Sequence, residues 1–328
     1  MIKYVYVLVS DKFDYYLEQA MMSIVSLRMY TSNAFVSLLI DDTTKETLKD
    51  KRGNILGLVD ELKVMVIDSR FNKKARSRWL KNCMRQNITG DFLYIDCDTI
   101  ISEDLSDIEN INADLGAVLD FHVPLEASPC KKYHQITDKI LGFDTSFVLD
   151  RYYNGGVILC RDAPICYKFF YKWRELWMFS FEKRILIEQP SFNQANFSMG
   201  NVITELEGKW NCQILANGAV RHIHDAKILH YITTGSVSEI NPYLLADQQI
   251  FKSIKKTMTI NQEIKNMLAN PKHSFMSCAR LVVGEFNNSR FYGLARRVFY
   301  SGFGFGIEFI LSHIHRIIFK RKLKERNR

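Results

Sequence analysis

No stretch of the chain approaches the roughly 18 consecutive apolar residues that a membrane span requires, so nothing in it reads as a transmembrane helix. The opening run MIKYVYVLVS is apolar but short, and it ends in Ser10-Asp11-Lys12 without a small-residue cleavage site. It predicts a first β-strand rather than a signal peptide. The seven cysteines (Cys83, Cys97, Cys130, Cys160, Cys166, Cys212 and Cys278) include no CxxC pair, and their number is odd. A disulfide framework or a structural zinc site is therefore not expected, and a reducing compartment fits. Proline is also scarce, with six residues and no Pro-rich linker. No internal repeat is visible.

Excess positive charge is missing from most of the chain. The net charge is +8, but nine Lys/Arg against Glu308 and Glu325 lie between Arg296 and Arg328, leaving 35 basic and 34 acidic residues elsewhere. A nucleic-acid binder carries its basic face on the folded domain. A basic tail points to an anionic surface instead.

What is present is a strand–helix rhythm. Tyr4 to Val9 reads as a buried strand and Tyr16 to Met29 as a helix. Strands follow at Phe35 to Ile40, ending in Asp41-Asp42, and at Lys63 to Ile67. A helix over Ser77 to Gln86 leads into strands at Phe92 to Ile95 and Leu115 to Leu119. Such alternation implies an α/β fold with a mostly parallel sheet and helices on both faces. Ligands in such sheets bind beyond the carboxyl ends of the strands. Later, Tyr153 to Cys160 reads as a strand, Tyr167 to Phe181 as an aromatic helix with Trp173 and Trp177 in the core, and Ala226 to Tyr231 as a late strand. Strand signals stop after about Pro242.

The strongest local signal is Phe92-Leu93-Tyr94-Ile95-Asp96-Cys97-Asp98-Thr99. An apolar strand runs into two carboxylates at i and i+2, which alternation puts on one side. Adjacent anions at a buried strand end repel unless they are protonated or bridged by a cation. A hard divalent ion shared with substrate phosphates resolves the repulsion. Aspartates capping the next turn are the plainer alternative. The same pattern also fits a haloacid-dehalogenase-like phosphatase with Asp96 as nucleophile. That reading needs a downstream acidic pair, whereas Asp41-Asp42 lies upstream.

Further along come Tyr152-Tyr153-Asn154-Gly155-Gly156-Val157-Ile158-Leu159, Glu188-Gln189-Pro190-Ser191-Phe192-Asn193, Lys209-Trp210-Asn211 and Ile228-Leu229-His230-Tyr231. In this order and at these intervals the set resembles glycosyltransferase family 8, over roughly Lys3 to Tyr231. The resemblance implies a GT-A-type, Rossmann-like nucleotide-sugar-binding domain that retains anomeric configuration. It implies that Asp96, Asp98 and His230 hold Mn²⁺ (or Mg²⁺) on the donor diphosphate. Ser10 and Asp11 match the loop that touches the nucleoside, and Arg78 a donor-binding arginine. Asp120, closing Leu115-Gly116-Ala117-Val118-Leu119, matches a sugar-contacting aspartate. Asn154 and Gly155 match the loop beside the transferred sugar, and Gln189 a polar group below the anomeric carbon. Asp120, Glu188 and Gln189 are the expected catalytic residues. The chain departs from the family at Glu188, usually Asp, at Pro190, and after His230, where Ile232-Thr233-Thr234-Gly235-Ser236 replaces a Lys-Pro-Trp stretch. The lysine that would neutralise the donor phosphates is thus unassigned.

The other motifs read more plainly. His222-Ile223-His224-Asp225 looks like a polar strand edge, since no further zinc ligands lie at suitable spacing. Ser301 to Gly306, with alternating glycines, is not between a strand and a helix and so is no phosphate loop. Ile307, Ile310, Leu311, Ile314, Ile317 and Ile318 recur at helical spacing, and Lys320 to Arg328 adds six basic residues against one acidic. This fits an interfacial helix on a membrane, the alternative being a docked terminal helix.

The expectation is thus a catalytic domain over 1–255 and a helical, basic-aromatic membrane-associating tail over 256–328. The expected reaction moves a hexose from a UDP-sugar to a glycan or lipid-linked saccharide, at the cytoplasmic face of an anionic membrane. A phosphatase and a non-catalytic, membrane-attached sugar-binding module are the alternatives.

Overall fold

The computed structural model describes residues 2–128, 130–144, 151–214, 220–232 and 244–275, with 282–283, 314 and 317. The first half comprises β1 (Lys3–Leu8), α1 (Tyr16–Tyr30), β2 (Phe35–Asp41), α2 (Asp42–Thr47), β3 (Glu61–Met65), α3 (Lys73–Asn82), α4 (Met84–Asn87), β4 (Phe92–Ile95), β5 (Thr99–Ile101) and β6 (Leu115–Leu119). Then follow α5 (Lys131–Leu141), β7 (Tyr153–Cys160), α6 (Pro164–Glu182), α7 (Gln189–Ser198), β8 (Thr204–Glu205), β9 (Cys212–Gln213), β10 (Val220–Arg221) and β11 (Ile228–His230). Last come α8 (Gln248–Thr257), α9 (Gln262–Leu268), α10 (Lys272–Phe275) and β12 (Val282–Val283).

The main sheet has seven strands in the order β3-β2-β1-β4-β7-β6-β8. Its pairs are parallel except those made by β7, which runs antiparallel to both β4 and β6. This is the mostly parallel α/β sheet expected. Both faces are covered, which is why β1 is apolar at every step after Lys3. Tyr4, Tyr6 and Leu8 enter one core, with α1, α8 and α9. Val5 and Val7 enter the other, with α3, α6 and α7. Trp173 and Trp177 are fully buried in this second core, Trp173 edge-on to Phe192 and Trp177 tilted against Phe181.

Several boundaries differ from those read in the sequence. β3 lies two residues earlier than expected, because its register is set by Leu38↔Leu62 pairing with β2 rather than by its own weak pattern. Helix α3 begins at Lys73, where Asn72 caps it by accepting from the Ala75 amide at 2.9 Å. Strands do not stop at Pro242, since β12 pairs with β10. Packing continues past residue 255: Ile264, Met267, Leu268 and Phe275 are buried in the first core, and Tyr231 stacks on Phe275. The Ser301 to Gly306 run and the tail beyond Ile307, save Ile314 and Ile317, lie outside the described residues. No helix among the described residues is long and apolar enough to cross a membrane.

The topology fixes the site. The carboxyl ends of β1 and β4 meet the amino end of β7, because Ile95 opposes Val157 in the antiparallel pair. A second, three-stranded sheet orders β5-β11-β9, with His230 opposite Thr99. That pairing carries His230 back across the chain to the residue next to Asp98.

Candidate active site

A cavity of about 420 Å³ opens beyond the ends of β1 and β4. Its walls come from Val7 to Val9, one face of α3, Tyr94 to Asp98, Asn154 to Gly156, Ile187 to Gln189, and His230.

Asp96, Asp98 and His230 converge there, with one ligand atom from each lying within 4.8 Å of the others. His230 Nε2 is 3.3 Å from Asp98 Oδ1. Local bonds hold the carboxylates in place. The Asp96 amide donates to the Gly156 carbonyl (2.8 Å), and the Tyr231 amide to that of Asp98 (3.1 Å). Cys97, between them, also borders the cavity and donates its thiol to the Val7 carbonyl at 3.3 Å. Burial, then Asp96 and Asp98, push that thiol well above its ordinary range. Burial opposes charge on His230, yet Asp98 and Asp96 outweigh it and raise its pKa. Two carboxylates and a buried imidazole crowded together form a donor set that fits a hard or borderline divalent ion.

The opposite wall is cationic. Helix α3 presents Lys74, Ser77, Arg78 and Lys81 to the cavity at i, i+3, i+4 and i+7. Arg78 Nε lies 2.7 Å from Glu188 Oε2. Lys81, 1 % exposed, lies 3.3 Å from both Asp96 and Glu188, and 4.8 Å above the Tyr94 ring. Burial alone would raise the Glu188 carboxyl, but Arg78 and then Lys81 hold it down at about 2. Burial and then Asp96 push the Tyr94 phenol well above its usual range, so its hydroxyl stays a donor to Asp96.

The third wall is built by β7 and α7. Asn193 fastens them: its side chain accepts from the Tyr153 amide (2.7 Å) and donates to the Tyr153 carbonyl (3.0 Å). This sets Asn154 and Gly155 beside Glu188 and Gln189. Gln189 Nε2 is buried with no hydrogen-bond partner among the described residues. A buried amide donor is costly to leave unpaired, so a ligand acceptor is the natural complement.

The expected residues divide into two groups. Arg78, Asp96, Asp98, Asn154, Gly155, Glu188, Gln189 and His230 line the cavity. Ser10, Asp11 and Asp120 are not among its lining residues. Ser10 donates to Asp14 (2.7 Å), and Asp11 pairs with Lys73 (2.8 Å), whose side chain does reach the cavity. Asp120 lies behind Asn154, accepting from its amide at 3.0 Å and facing His134 at 3.4 Å. The next two residues, Phe121 and His122, both take left-handed backbone at φ 56 and 55. Gln213 braces this unfavourable turn by bonding the Phe121 and His122 groups and the Leu119 carbonyl.

Lys81, Tyr94 and Asn211 were not singled out from sequence. The i, i+3 spacing of Arg78 and Lys81 was a usable signal, but a lysine on a polar helix ordinarily faces solvent. His222 to Asp225 form a turn, not a strand edge, with His222 against His122 at 5.1 Å between ring centroids. Asp41 caps α2 by accepting from the Thr44 amide (2.8 Å) and pairs with Arg76 at 2.7 Å. It is therefore committed to structure, away from Asp96.

A parallel-dominated sheet with an acidic cluster and a basic helix at its carboxyl edge defines an α/β domain that binds its ligand beyond the ends of its strands. The glycosyl transferase family 8 profile matches residues 8–235, and the chain belongs to that family. It is a glycosyltransferase of GT-A fold. No curated protein matches the chain in sequence. Among solved structures it resembles the bifunctional glycosyltransferase WbbM at 14% identity and a TM-score of 0.50, covering 81% of this chain and 51% of that one. The chain thus spans about half of WbbM. It resembles an active-site mutant of LgtC at 13% identity and a TM-score of 0.50, covering 80% of this chain and 99% of that one. The galactosyltransferase LgtC in complex with donor and acceptor sugar analogs matches at 11% identity, a TM-score of 0.48, and 81% and 99% coverage.

Proposed function

We propose that the chain is a retaining, Mn²⁺-dependent hexosyltransferase that takes a UDP-sugar donor and a glycan or lipid-linked saccharide acceptor. The observation carrying this is the Asp96–Asp98–His230 cluster facing a basic helix across one cavity. Two carboxylates with one imidazole favour Mn²⁺ over a thiolate-seeking ion, and Mg²⁺ is the alternative. When bound, the cation supplies Lewis-acid stabilisation to the diphosphate as negative charge develops on it.

The protein's own groups divide the remaining work. Arg78 offers a planar fork to a phosphate, and Lys74 adds charge from the same helix face. Lys81, buried between Asp96 and Glu188, fills the role of the missing lysine after His230. Glu188 remains ionised, and its negative charge favours cationic character at the anomeric carbon. Gln189, with its unpaired amide, lines the same space. Asn154 and Gly155 close the sugar side, with Asp120 supporting them from behind. Ser10 and Asp11 hold the nucleoside end through Lys73.

The test is thermal. With donor at about 100 times its dissociation constant, stabilisation should be roughly 2.7 kcal/mol. A UDP-hexose should raise Tm strongly with Mn²⁺ and only weakly with chelator. Stabilisation independent of the metal would defeat the reading.

The tail supports work at the cytoplasmic face of an anionic membrane. Its apolar stripe and basic end should act together, each basic residue near the surface adding on the order of 1 kcal/mol that salt screens. Full-length protein should co-sediment with anionic vesicles at low salt and release partly at high salt. Protein ending before Ile307 should stay in solution yet still turn over donor. Equal sedimentation of both would make the tail a packed terminal helix.

A further inference from the structure

We infer that Asn211 is a positioning residue that fixes the tautomer of His230 and ties it to the sugar-side loop. The inference rests on the metal reading of Asp96, Asp98 and His230 given above. It starts from a donor whose identity is beyond question, the backbone amide of Gly156. That N–H donates to one terminal atom of the Asn154 side chain at 2.9 Å, so this atom must be oxygen. The other terminal atom of Asn154 is then nitrogen, which agrees with its contact to the Asp120 carboxylate at 3.0 Å.

The same Asn154 oxygen lies 3.0 Å from one terminal atom of Asn211, which must therefore be the Asn211 nitrogen. The remaining Asn211 atom is an oxygen, 2.9 Å from His230 Nδ1. An amide oxygen cannot donate, so Nδ1 carries the proton. The lone pair of the neutral ring is left on Nε2, the atom facing Asp98 at 3.3 Å. A backbone amide thus dictates, through two side-chain amides, which imidazole nitrogen is free to bind a cation. Metal-bound histidines commonly have the far nitrogen fixed by a partner of this kind.

Burial makes the arrangement rigid. Asn211 is 0%, His230 4% and Asn154 8% exposed, so water does not compete freely for these bonds. Asn211 itself is set by the turn Gly208–Asn211 leading into β9, which runs beside β11 in register Leu229↔Cys212. Asn154 also belongs to the cavity wall. The Asn211 amide therefore joins two jobs, and one substitution can separate them.

Asn211→Leu removes both hydrogen bonds in a similar volume. Its Mn²⁺ affinity, read by electron paramagnetic resonance of free Mn²⁺ with UDP present, should fall roughly 10- to 100-fold. Asn211→Asp keeps an acceptor for His230 Nδ1–H but sets a carboxylate oxygen against the Asn154 oxygen. Its Mn²⁺ affinity should equal or exceed that of wild type, while kcat falls about tenfold, as for one lost buried hydrogen bond. Far-UV circular dichroism and Tm check that both variants fold. Wild-type Mn²⁺ affinity in a folded Asn211→Leu protein would reduce Asn211 to packing. Loss of Mn²⁺ binding in Asn211→Asp as large as in Asn211→Leu would also overturn the assignment. Wild-type protein that binds no Mn²⁺ would instead remove the metal reading, and this inference with it.

Discussion

Asp98→Ala should slow sugar transfer by a factor on the order of a thousand, equivalent to about 4 kcal/mol of lost transition-state stabilisation. Asp98 stands beside His230 Nε2 at 3.3 Å, so its loss removes one of three converging ligand groups. The fold should not suffer in proportion. Without a cation, Asp96 and Asp98 repel across the i, i+2 spacing, and deleting one relieves that repulsion. The mutant also forfeits the Asp98–His230 pairing, so metal-free Asp98→Ala protein should melt close to metal-free wild type rather than far below it. Asp96→Ala is a less clean test, because Lys81 and Tyr94 both bond to Asp96. The measurement is initial rate against Mn²⁺ concentration, with melting curves taken in chelator. Unchanged turnover at every metal concentration would show that the cluster is not catalytic.

What could be read in advance follows from where the controlling interactions lie. β4 was legible because a strand buried on both faces is a continuous apolar run, and β7 because its second half, Val157 to Cys160, is one. The bounds Phe92–Ile95 and Tyr153–Cys160 were as expected. β3 was misplaced because it forms the sheet edge and all five of its residues keep some exposure, leaving little pattern. Helix α3 carried a capping signal at Asn72, but the polar Lys73-Lys74 that follows hides a helix start from a search for apolar periodicity. The family motifs brought Asp98 and His230 together without saying why they meet. The cause is the antiparallel pairing His230↔Thr99, a contact between distant parts of the chain that no local pattern encodes.

The same distinction explains Lys81 and Asn211. A buried lysine is tolerated only because Asp96 and Glu188 flank it and Tyr94 offers its ring, and those partners come from the end of β4 and the start of α7. Asn193 had the reverse fate. It was read as part of a family motif near Gln189, yet its side chain is spent on the Tyr153 backbone. Its contribution is to aim Asn154 and Gln189, not to touch a ligand itself. Motif membership therefore identified the neighbourhood correctly and left the division of labour to geometry.

Gly156→Ala should reduce transfer at least about a hundredfold. A Cβ at this position would lie 2.3 Å from His230 Cε1, 2.7 Å from His230 Nδ1 and 2.9 Å from Asn154 Oδ1. The strand cannot move to make room. Val157 opposes Ile95 on one side, Ile158 opposes Ala117 on the other, and the Asp96 amide binds the Gly156 carbonyl at 2.8 Å. The imidazole must yield instead, and in yielding it leaves Asn211 and the metal site. The global cost is that of overpacking, roughly 1–3 kcal/mol, so a folded protein should be recovered. Neighbouring Gly155 supplies the control. Its Cβ would meet Lys81 Nζ at 3.6 Å, an ordinary contact, so alanine there should leave His230 and the metal ligands in place. Both glycines lie in the same motif, so sequence alone would rank them together. Steady-state kinetics and Mn²⁺ titration of the two alanine variants decide the matter. Gly156→Ala should need far more Mn²⁺ for half-maximal rate, while the Mn²⁺ requirement of Gly155→Ala should stay near wild type whatever its added methyl costs on the sugar side. The opposite ranking would mean that His230 is not held where the donor metal binds.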